Sequence, residues 1–209
     1  MDRRVFLKGV GAFGLSVIFP NLLYGNCAEE NMRETYSKIK EIFPESQEQI
    51  MVDGKNQILY LIKEKDNEFC VSNFYPVSTS KYGFGNDLKS NKTPTGLHKI
   101  SFKIGDGAEV GTIFKKWKDT KKISNIIKSE RQGLENITTR VMPLIGCEER
   151  NKYTNLRGVH IHGTSEEGLV GTPQSHGCIR MRNDDVVELY SSVNDGTPVY
   201  IFENCVSGR

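Results

Sequence analysis

One stretch of the chain holds most of the side chains that could carry nucleophilic chemistry. Three of the four histidines, His160, His162 and His176, fall in the stretch that leads to Cys178. A thiolate is the nucleophilic form of cysteine, and a nearby imidazole generates it by accepting the thiol proton. The spacing therefore favours a cysteine–histidine site for acyl transfer.

The backbone around the cysteine suits the same chemistry. Gly177 precedes Cys178 and lets the chain pass close to a substrate without a side chain in the way. The amides of Gly177 and Cys178 could then point at a developing oxyanion. Acyl transfer of this kind needs no metal or organic cofactor, so none is predicted. The absence of a Cys-x-x-Cys pair also leaves a structural zinc site without support.

The motif SHGCIRM at residues 175–181 resembles the signature of the L,D-transpeptidase (YkuD-type) family, which has a His-Gly pair just upstream, as His162-Gly163 here. The segment TPTG at residues 93–96 resembles the turn before the central strand of that family. Residues 185–201, with GTPV at 196–199, resemble its closing helix and final strand. The resemblance covers residues 57–202 and implies a mainly β fold, an L,D-transpeptidase-type β-sandwich with a few peripheral helices.

The resemblance also implies roles for individual residues. Cys178 is the nucleophile and His162 is its base, oriented through the other ring nitrogen by the Gly163 carbonyl or a neighbouring hydroxyl. His176 is a supporting residue that shapes the oxyanion pocket or holds the loop, although its position two residues before Cys178 also fits direct pairing.

Three further residues of the cluster are predicted substrate contacts: Ser175, His160 and Arg180. The guanidinium of Arg180 suits a substrate carboxylate, and a structural ion pair under the site is its alternative role. His160 departs from the simpler form of the motif, and because it lies two residues before His162, both face the same side of a strand. His98, outside the cluster, is expected to be structural.

The substrate class implied by the family is the stem peptide of bacterial peptidoglycan. The enzyme attacks the bond between the third residue and the following D-alanine, and D-alanine leaves. An amine of another stem then gives a 3-3 cross-link, a lipoprotein lysine gives a tethered protein, and water gives a carboxypeptidase. Two other classes remain open: a cysteine peptidase, which the order of His162 before Cys178 argues against, and a wall-binding module without catalysis.

Apolar periodicity places the elements around this site. Residues 29–49 are a helical segment with an amphipathic helix at 31–43, and residues 50–204 are the catalytic domain. Strands are predicted at 57–63, 69–79, 97–104, 137–145, 159–162 and 198–202, mainly antiparallel. Asn183 is the predicted N-cap of a second helix, with Asp184 and Asp185 in its first turn. Residues 115–133 form an insertion at the edge of the domain, with a helix near 123–127.

Residues 1–28 have the charged, apolar, polar order of an export signal. Arg3-Arg4, followed by Phe6-Leu7-Lys8, resembles a twin-arginine signal, which predicts export to the periplasm or cell-wall space. A retained membrane anchor and lipid modification of Cys27 are the less favoured alternatives, because the apolar run is short and a bulky Asn26 precedes the cysteine. No stable membrane span is expected after removal of the signal.

Charge excludes one class of partner. The 28 basic and 26 acidic residues give a net charge of +2 and are mixed along most of the chain, so nothing indicates a nucleic acid. The pairing of Cys70, Cys147 and Cys205 and the oligomeric state do not follow from the sequence.

Overall fold

The computed structural model describes residues 26–65, 68–130, 133 and 135–204. Almost all of the predicted export signal, residues 1–28, therefore lies outside the described residues, as does Cys205. Within the part of the chain that is described, no helix has both the length and the apolar character needed to cross a membrane.

Ten strands and two α-helices make up the described chain. The helices are α1 (Asn26–Ile42) and α2 (Asn183–Ser192). The strands are β1 (Glu48–Asp53), β2 (Ile58–Lys65), β3 (Glu68–Pro76), β4 (Gly96–Ile100), β5 (Thr112–Lys115), β6 (Lys118–Ile123), β7 (Ile137–Gly146), β8 (His160–Thr164), β9 (Ile179–Met181) and β10 (Pro198–Phe202). The expected mainly β composition with few helices is confirmed.

The strands form two layers that share β7. One layer has the order β3-β2-β1-β10-β4-β7, and the other is built on β7 by β5, β6, β8 and β9. The end of β7 pairs with β4 at Leu144 and Ile100, whereas its middle pairs with β8 at Val141 and His162. Pairing is antiparallel except for β1 with β10 and β8 with β9. The predicted mainly antiparallel arrangement is thus correct.

The main hydrophobic core brings together residues of both layers and of α2. Alternate residues of β1 and β2, such as Val52 and Leu61, share it with Ile161 of β8, Ile179 of β9 and Leu189 of α2, all of them fully or almost fully buried. Burial of each such side chain contributes about 1.5–3 kcal/mol to folding. This core fixes the two strands, β8 and β9, that carry the histidines and the cysteine of the motif.

Helix α1 covers the outer face of the first layer. Met32 and Ile39 of the helix are buried in a second cluster that also contains Met51, Tyr60 and Ile62 of β1 and β2. A solitary helix of this length is marginal in water, so this packing supplies the stability that its sequence lacks. The helix predicted at residues 31–43 is present, and it begins earlier, at Asn26.

Three local predictions were wrong. Residues 123–127 are not helical, because the insertion folds as a hairpin of β5 and β6 with Lys116 and Trp117 in its turn. Strand β1 begins at Glu48, inside the segment predicted to be helical. Asn183 is the first helical residue instead of the N-cap, and the carboxylate of Glu167 accepts hydrogen bonds from its backbone and side-chain nitrogens at 2.8 and 2.7 Å.

Candidate active site

The register of β8 and β9 brings the cysteine and the histidines together. The two strands are parallel, with Ile161 opposite Ile179, so Cys178 lies just before β9 and beside His160. His160 and His162 alternate with Ile161 along β8 and therefore point to the same face of the sheet. Both strands are buried throughout, and their register against each other fixes the position of the cluster.

Cys178 contacts two groups of the β8 segment. Its Sγ lies 3.7 Å from Nδ1 of His160 and 3.6 Å from the carbonyl oxygen of Gly158. Burial raises the pKa of the Cys178 thiol to about 11, although a hydrogen bond with the His160 backbone lowers it and the charge of Arg180 does the same. The thiol is therefore protonated at neutral pH in the free protein.

His162 is held by its own backbone neighbour. Its Nδ1 donates to the carbonyl oxygen of Gly163 at 2.8 Å, which leaves Nε2 of the neutral ring as the proton acceptor. The side chain is buried, and burial lowers its pKa to about 4, helped by the charge of Arg180. Among the described residues no hydrogen bond joins His162 to Cys178.

His160 has the contact with the thiol instead. Its side chain is 8% exposed, and burial lowers its pKa to about 3, with His162 adding to the effect. The indole of Trp117 stands edge-on to its ring, with 4.6 Å between centroids. Nε2 of His160 is buried and has no hydrogen-bond partner among the described residues. The sequence predicted a substrate contact at His160, and the structure shows a buried ring beside the nucleophile.

Ser175 supports the loop that carries Cys178. Its hydroxyl donates to the Cys178 carbonyl at 2.6 Å and accepts from the Gly177 amide at 3.2 Å. Ser175 is fully buried, so its hydroxyl holds the turn and does not face a substrate. The Gly177 amide is thereby already paired, whereas the Cys178 amide makes no turn or loop hydrogen bond within the described residues. Only the latter is free to face an oxyanion.

Gly177 is required by its conformation. Its φ is +120°, and a Cβ at this position would come within 3.2 Å of the carbonyl oxygen of Lys92. That oxygen belongs to a loop that Arg157 holds in place. The guanidinium of Arg157 donates to the carbonyl oxygens of Gly85 and Ser90 at 3.0 and 3.1 Å, and also to that of Lys92. Arginine bonds to backbone carbonyls leave no pattern in a sequence, so Arg157 was not predicted.

Arg180 forms ion pairs with two glutamates. Its side chain is 2% exposed, with Nη2 against Glu135 and Nη1 3.1 Å from Glu166. Glu166 also accepts from the Gly133 amide at 2.7 Å. Two carboxylates occupy the guanidinium, and this arrangement favours the structural ion pair over a substrate contact. Neither glutamate was predicted: Glu135 lies far from the motif, and Glu166 lies in the loop between His162 and Ser175, where nothing in the sequence marks it as a partner of Arg180.

His176 lies at the rim. Its side chain is half exposed, with Nδ1 3.7 Å from Glu135 and its ring 5.7 Å from that of Tyr82. It makes no hydrogen bond with Cys178 among the described residues, so the structure does not show direct pairing of the two. This geometry favours a supporting role for His176 over direct pairing with Cys178.

Outside this cluster, the remaining histidine is hydrogen-bonded and two further cysteines are free thiols. His98 binds the Gly96 carbonyl at 2.9 Å and Thr154 Oγ1 at 3.2 Å, as a structural histidine does. Cys70 and Cys147 are free thiols. No group of histidine, cysteine or acidic side chains that could hold a metal ion occurs within the described residues.

A two-layer β fold that brings a cysteine and two histidines together at one strand pair defines a domain with a cysteine–histidine site. The chain belongs to the L,D-transpeptidase catalytic domain family, whose profile matches residues 47–201. YqjB of Bacillus subtilis, which bears an L,D-transpeptidase name, is 47% identical over 53 residues, covering 25% of this chain and 30% of that protein.

Solved structures show a similar fold. Bd1075 of Bdellovibrio bacteriovorus superposes with a TM-score of 0.51 at 18% identity, covering 76% of this chain and 48% of that one. An L,D-transpeptidase from Mycobacterium smegmatis gives a TM-score of 0.46 at 19% identity, covering 75% of this chain and 58% of that one. The chain therefore spans less than two thirds of the length of each of these relatives.

Proposed function

We propose that this chain is a peptidoglycan L,D-transpeptidase that forms an acyl-enzyme on Cys178. The observation that carries the proposal is the position of this thiol just before β9, 3.7 Å from Nδ1 of the buried His160 and in a domain of this family, with the buried His162 on the same face of β8. The proposed substrate is a stem tetrapeptide, and the leaving group is its terminal D-alanine.

The free protein holds the thiol in an unreactive form. The pKa of Cys178 is raised to about 11 and those of His160 and His162 are lowered to about 3 and 4, so the proton stays on sulfur. Transfer of the thiol proton to His162 requires Sγ of Cys178 to move from Nδ1 of His160 to Nε2 of His162 by rotation about the Cα–Cβ bond. We propose that substrate binding drives this rotation, because the Gly163 carbonyl already orients His162 as an acceptor.

Acylation then follows with a balanced proton transfer. The thiol proton moves to His162 Nε2 as sulfur bonds to the substrate carbonyl carbon, and the Cys178 amide faces the resulting oxyanion. The C–N bond breaks as His162 returns the proton to the nitrogen of D-alanine. In deacylation the acceptor loses a proton to His162 as its nitrogen or oxygen bonds to the carbonyl carbon, and the proton returns to sulfur as the thioester breaks.

The acceptor decides the biological product. Attack by an amine of a second stem gives a 3-3 cross-link, and attack by water makes the chain a carboxypeptidase. Incubation of the protein with a stem tetrapeptide, followed by mass spectrometry, separates a dimer from a tripeptide. A wall-binding module without catalysis would give neither product.

The Cys178→Ala variant tests the nucleophile. We expect it to fold as the wild type does, since a half-buried side chain loses one atom, and to release no D-alanine from the tetrapeptide. The matched control is Cys147→Ala, which removes an exposed thiol outside the site and should retain full release. Release of D-alanine by folded Cys178→Ala at the wild-type rate would overturn the assignment.

We also propose that residues 1–28 direct export by a twin-arginine route. The support is the order of Arg3-Arg4-Val5-Phe6-Leu7-Lys8 before an apolar run. Because a receptor that reads guanidinium groups does not accept ammonium groups equally, Arg3→Lys with Arg4→Lys should leave the precursor inside the cell. Fractionation of cells that express both forms provides the test, and unchanged export of the double variant would indicate the general secretion route.

A further inference from the structure

Arg157 is bound to backbone carbonyls and not to a carboxylate. Its guanidinium donates to the carbonyl oxygens of Gly85, Ser90 and Lys92. No acidic side chain of the described residues forms an ion pair with it, and its buried Nε has no hydrogen-bond partner among them. Because arginine stays protonated in proteins, a partly buried positive charge remains here without a countercharge.

Arg157 adjoins the nucleophile in two ways. The Lys92 carbonyl that its guanidinium binds lies against Gly177, since a Cβ on this glycine would come within 3.2 Å of the carbonyl oxygen. The next residue in the chain, Gly158, accepts a hydrogen bond from the Cys178 thiol at 3.6 Å. Both the loop that Arg157 binds and its own main chain therefore flank the segment that carries the thiol.

The charge of Arg157 acts on the thiol itself. Burial raises the pKa of Cys178 to about 11, and the charges of Arg180 and Arg157 both lower it. Arg180 is paired with Glu135 and Glu166, and the charge of Glu135 raises the pKa of the thiol. The two imidazoles of β8 are neutral near pH 7 and add no charge. Of the two cations, Arg157 is thus the one that lacks a carboxylate partner among the described residues.

We propose that Arg157 is a positioning residue that stabilises the ionised form of Cys178, because it holds the loop against Gly177 and places an unpaired positive charge near the sulfur. When the thiol proton passes to His162, the sulfur becomes negative, and the guanidinium gains the countercharge that it lacks in the resting protein. The inference rests on the proposed function, since the species that is stabilised is the thiolate formed during acylation.

Alkylation of the full chain by iodoacetamide tests this role without turnover. The reagent attacks the thiolate, so at about pH 8, well below the pKa of the thiol, its rate follows the thiolate fraction. Peptide mass spectrometry follows the adduct on Cys178. We expect Arg157→Gln to slow alkylation about five-fold, because the thiolate loses a favourable charge, and Arg157→Lys to stay within about two-fold of the wild type, because the charge is kept.

A residue that only held the loop would give the opposite sign. Both substitutions remove hydrogen bonds to the loop carbonyls, and a looser loop would expose the partly buried thiol. Alkylation would then become faster in both variants. The direction of the change in rate therefore separates the effect of the charge from an effect of packing.

A second pair of rates separates the charge from access to the thiol. Iodoacetate and iodoacetamide differ in one negative charge, so the ratio of their rates reports the electrostatic potential at the sulfur. At Cys178 of the wild type this ratio should exceed that of N-acetylcysteinamide, a small thiol without charged neighbours. In Arg157→Gln the ratio should fall about three-fold. The comparison for the wild type holds even where the variant does not fold.

Arg150→Gln is the matched control. Arg150 is an exposed arginine seven residues earlier that pairs with Glu148, and its loss changes the net charge by the same amount. Both rates at Cys178 should be unchanged in this variant. Alkylation of Arg157→Gln as fast as that of the wild type, alkylation of Arg157→Lys as slow as that of Arg157→Gln, or a wild-type ratio no higher than that of N-acetylcysteinamide would each overturn the role of Arg157.

The same preparations separate this inference from the proposed function. Wild-type protein that shows the expected alkylation rates but releases no D-alanine from a stem tetrapeptide would retain the role of Arg157 towards the thiol and remove the transpeptidase assignment. Wild-type protein that releases D-alanine, together with equal alkylation of wild type and Arg157→Gln, would do the reverse.

Discussion

The two sides of Cys178 differ in the partners that their polar groups have. On the β9 side, the guanidinium of Arg180 meets Glu135 and Glu166, and Ser175 bonds both the Gly177 amide and the Cys178 carbonyl. On the hairpin side, Nε2 of His160 has no partner among the described residues. We refer to these as the paired side and the open side.

The difference indicates which groups maintain the site and which await a ligand. Buried polar groups are normally hydrogen-bonded, and each exception calls for an explanation. The paired side engages both Nη atoms of Arg180 with carboxylates, although its Nε has no partner among the described residues, and it fixes the loop that carries the nucleophile. The open side has a buried, unpartnered ring nitrogen next to a cavity that Lys116 also lines. The two carboxylates at Arg180 argue against the prediction that its guanidinium binds a substrate carboxylate.

The largest expected effect comes from breaking the paired side. Arg180→Met removes a buried guanidinium and leaves Glu166 without its charge partner. Loss of one member of a buried ion pair typically costs 3–5 kcal/mol, and we expect about 3 kcal/mol here because Glu135 is partly exposed. Urea denaturation at neutral pH measures the change.

The control for this variant is an ion pair at the surface. Glu149, 84% exposed, pairs with Lys152, and Glu149→Gln should leave the midpoint of unfolding almost unchanged. Arg180→Met as stable as Glu149→Gln would show that the network does not hold the site.

The next largest effect is on the pH dependence of stability and comes from the hydrogen-bonded His98. The sign of this effect follows from the pKa of the histidine. His98 has acceptors or donors at both nitrogens, and burial lowers its pKa to about 4 from 6.5. Below about pH 6.5 the imidazole of His98 is protonated in the unfolded chain, whereas in the folded protein it stays neutral until about pH 4. Stability is therefore complete above the unfolded pKa and is lost as pH falls towards the folded pKa.

Removal of His98 should reduce this acid sensitivity. His98→Gln keeps a group that donates and accepts hydrogen bonds but does not titrate. Between pH 7 and pH 5 its free energy of unfolding should fall by about 2 kcal/mol less than that of the wild type. Urea denaturation at the two pH values tests this, and an unchanged pH dependence would place the acid sensitivity elsewhere.

The smallest expected effect is at Ser175. Ser175→Ala removes the acceptor of the Gly177 amide and the donor to the Cys178 carbonyl, and we expect a loss of about 1–2 kcal/mol in the free energy of unfolding. Ser191→Ala, at an exposed serine of α2 that donates to the Glu188 carbonyl, is the control. If both variants unfold alike, Ser175 does not support the turn.

The sequence predicted what depends on local pattern. Strand alternation located β8 and β10, the apolar stripe of α1 gave that helix, and the position of Cys178 near His160 and His162 identified the cluster. The hairpin at residues 112–123 was missed because lysines dominate it and only pairing across the sheet makes it a strand pair. Because of these lysines, the segment shows no apolar periodicity from which strands could be predicted.

The partners of individual side chains were less predictable than the elements. Glu135 reaches Arg180 from a segment before β7 and Glu166 from the loop between His162 and Cys178, and nothing in a single sequence pairs them with the arginine. The contact of Cys178 with His160 depends on the register of β8 against β9. A register of this kind emerges only from the packing of the whole core. His160 was consequently assigned to the substrate, whereas the structure places it at the thiol.

The most direct test of the central claim separates the two histidines beside Cys178. A strained β-lactam resembles the bond under attack, so a carbapenem should acylate Cys178, and intact-mass spectrometry follows the adduct with time across pH. His162→Gln should slow acylation about 100-fold near neutral pH, with partial recovery as pH rises towards the pKa of the thiol, while His160→Gln should change the rate less and without such recovery. Rapid acylation of His162→Gln, together with a pH-rescued loss in His160→Gln, would contradict the account and make His160 the base.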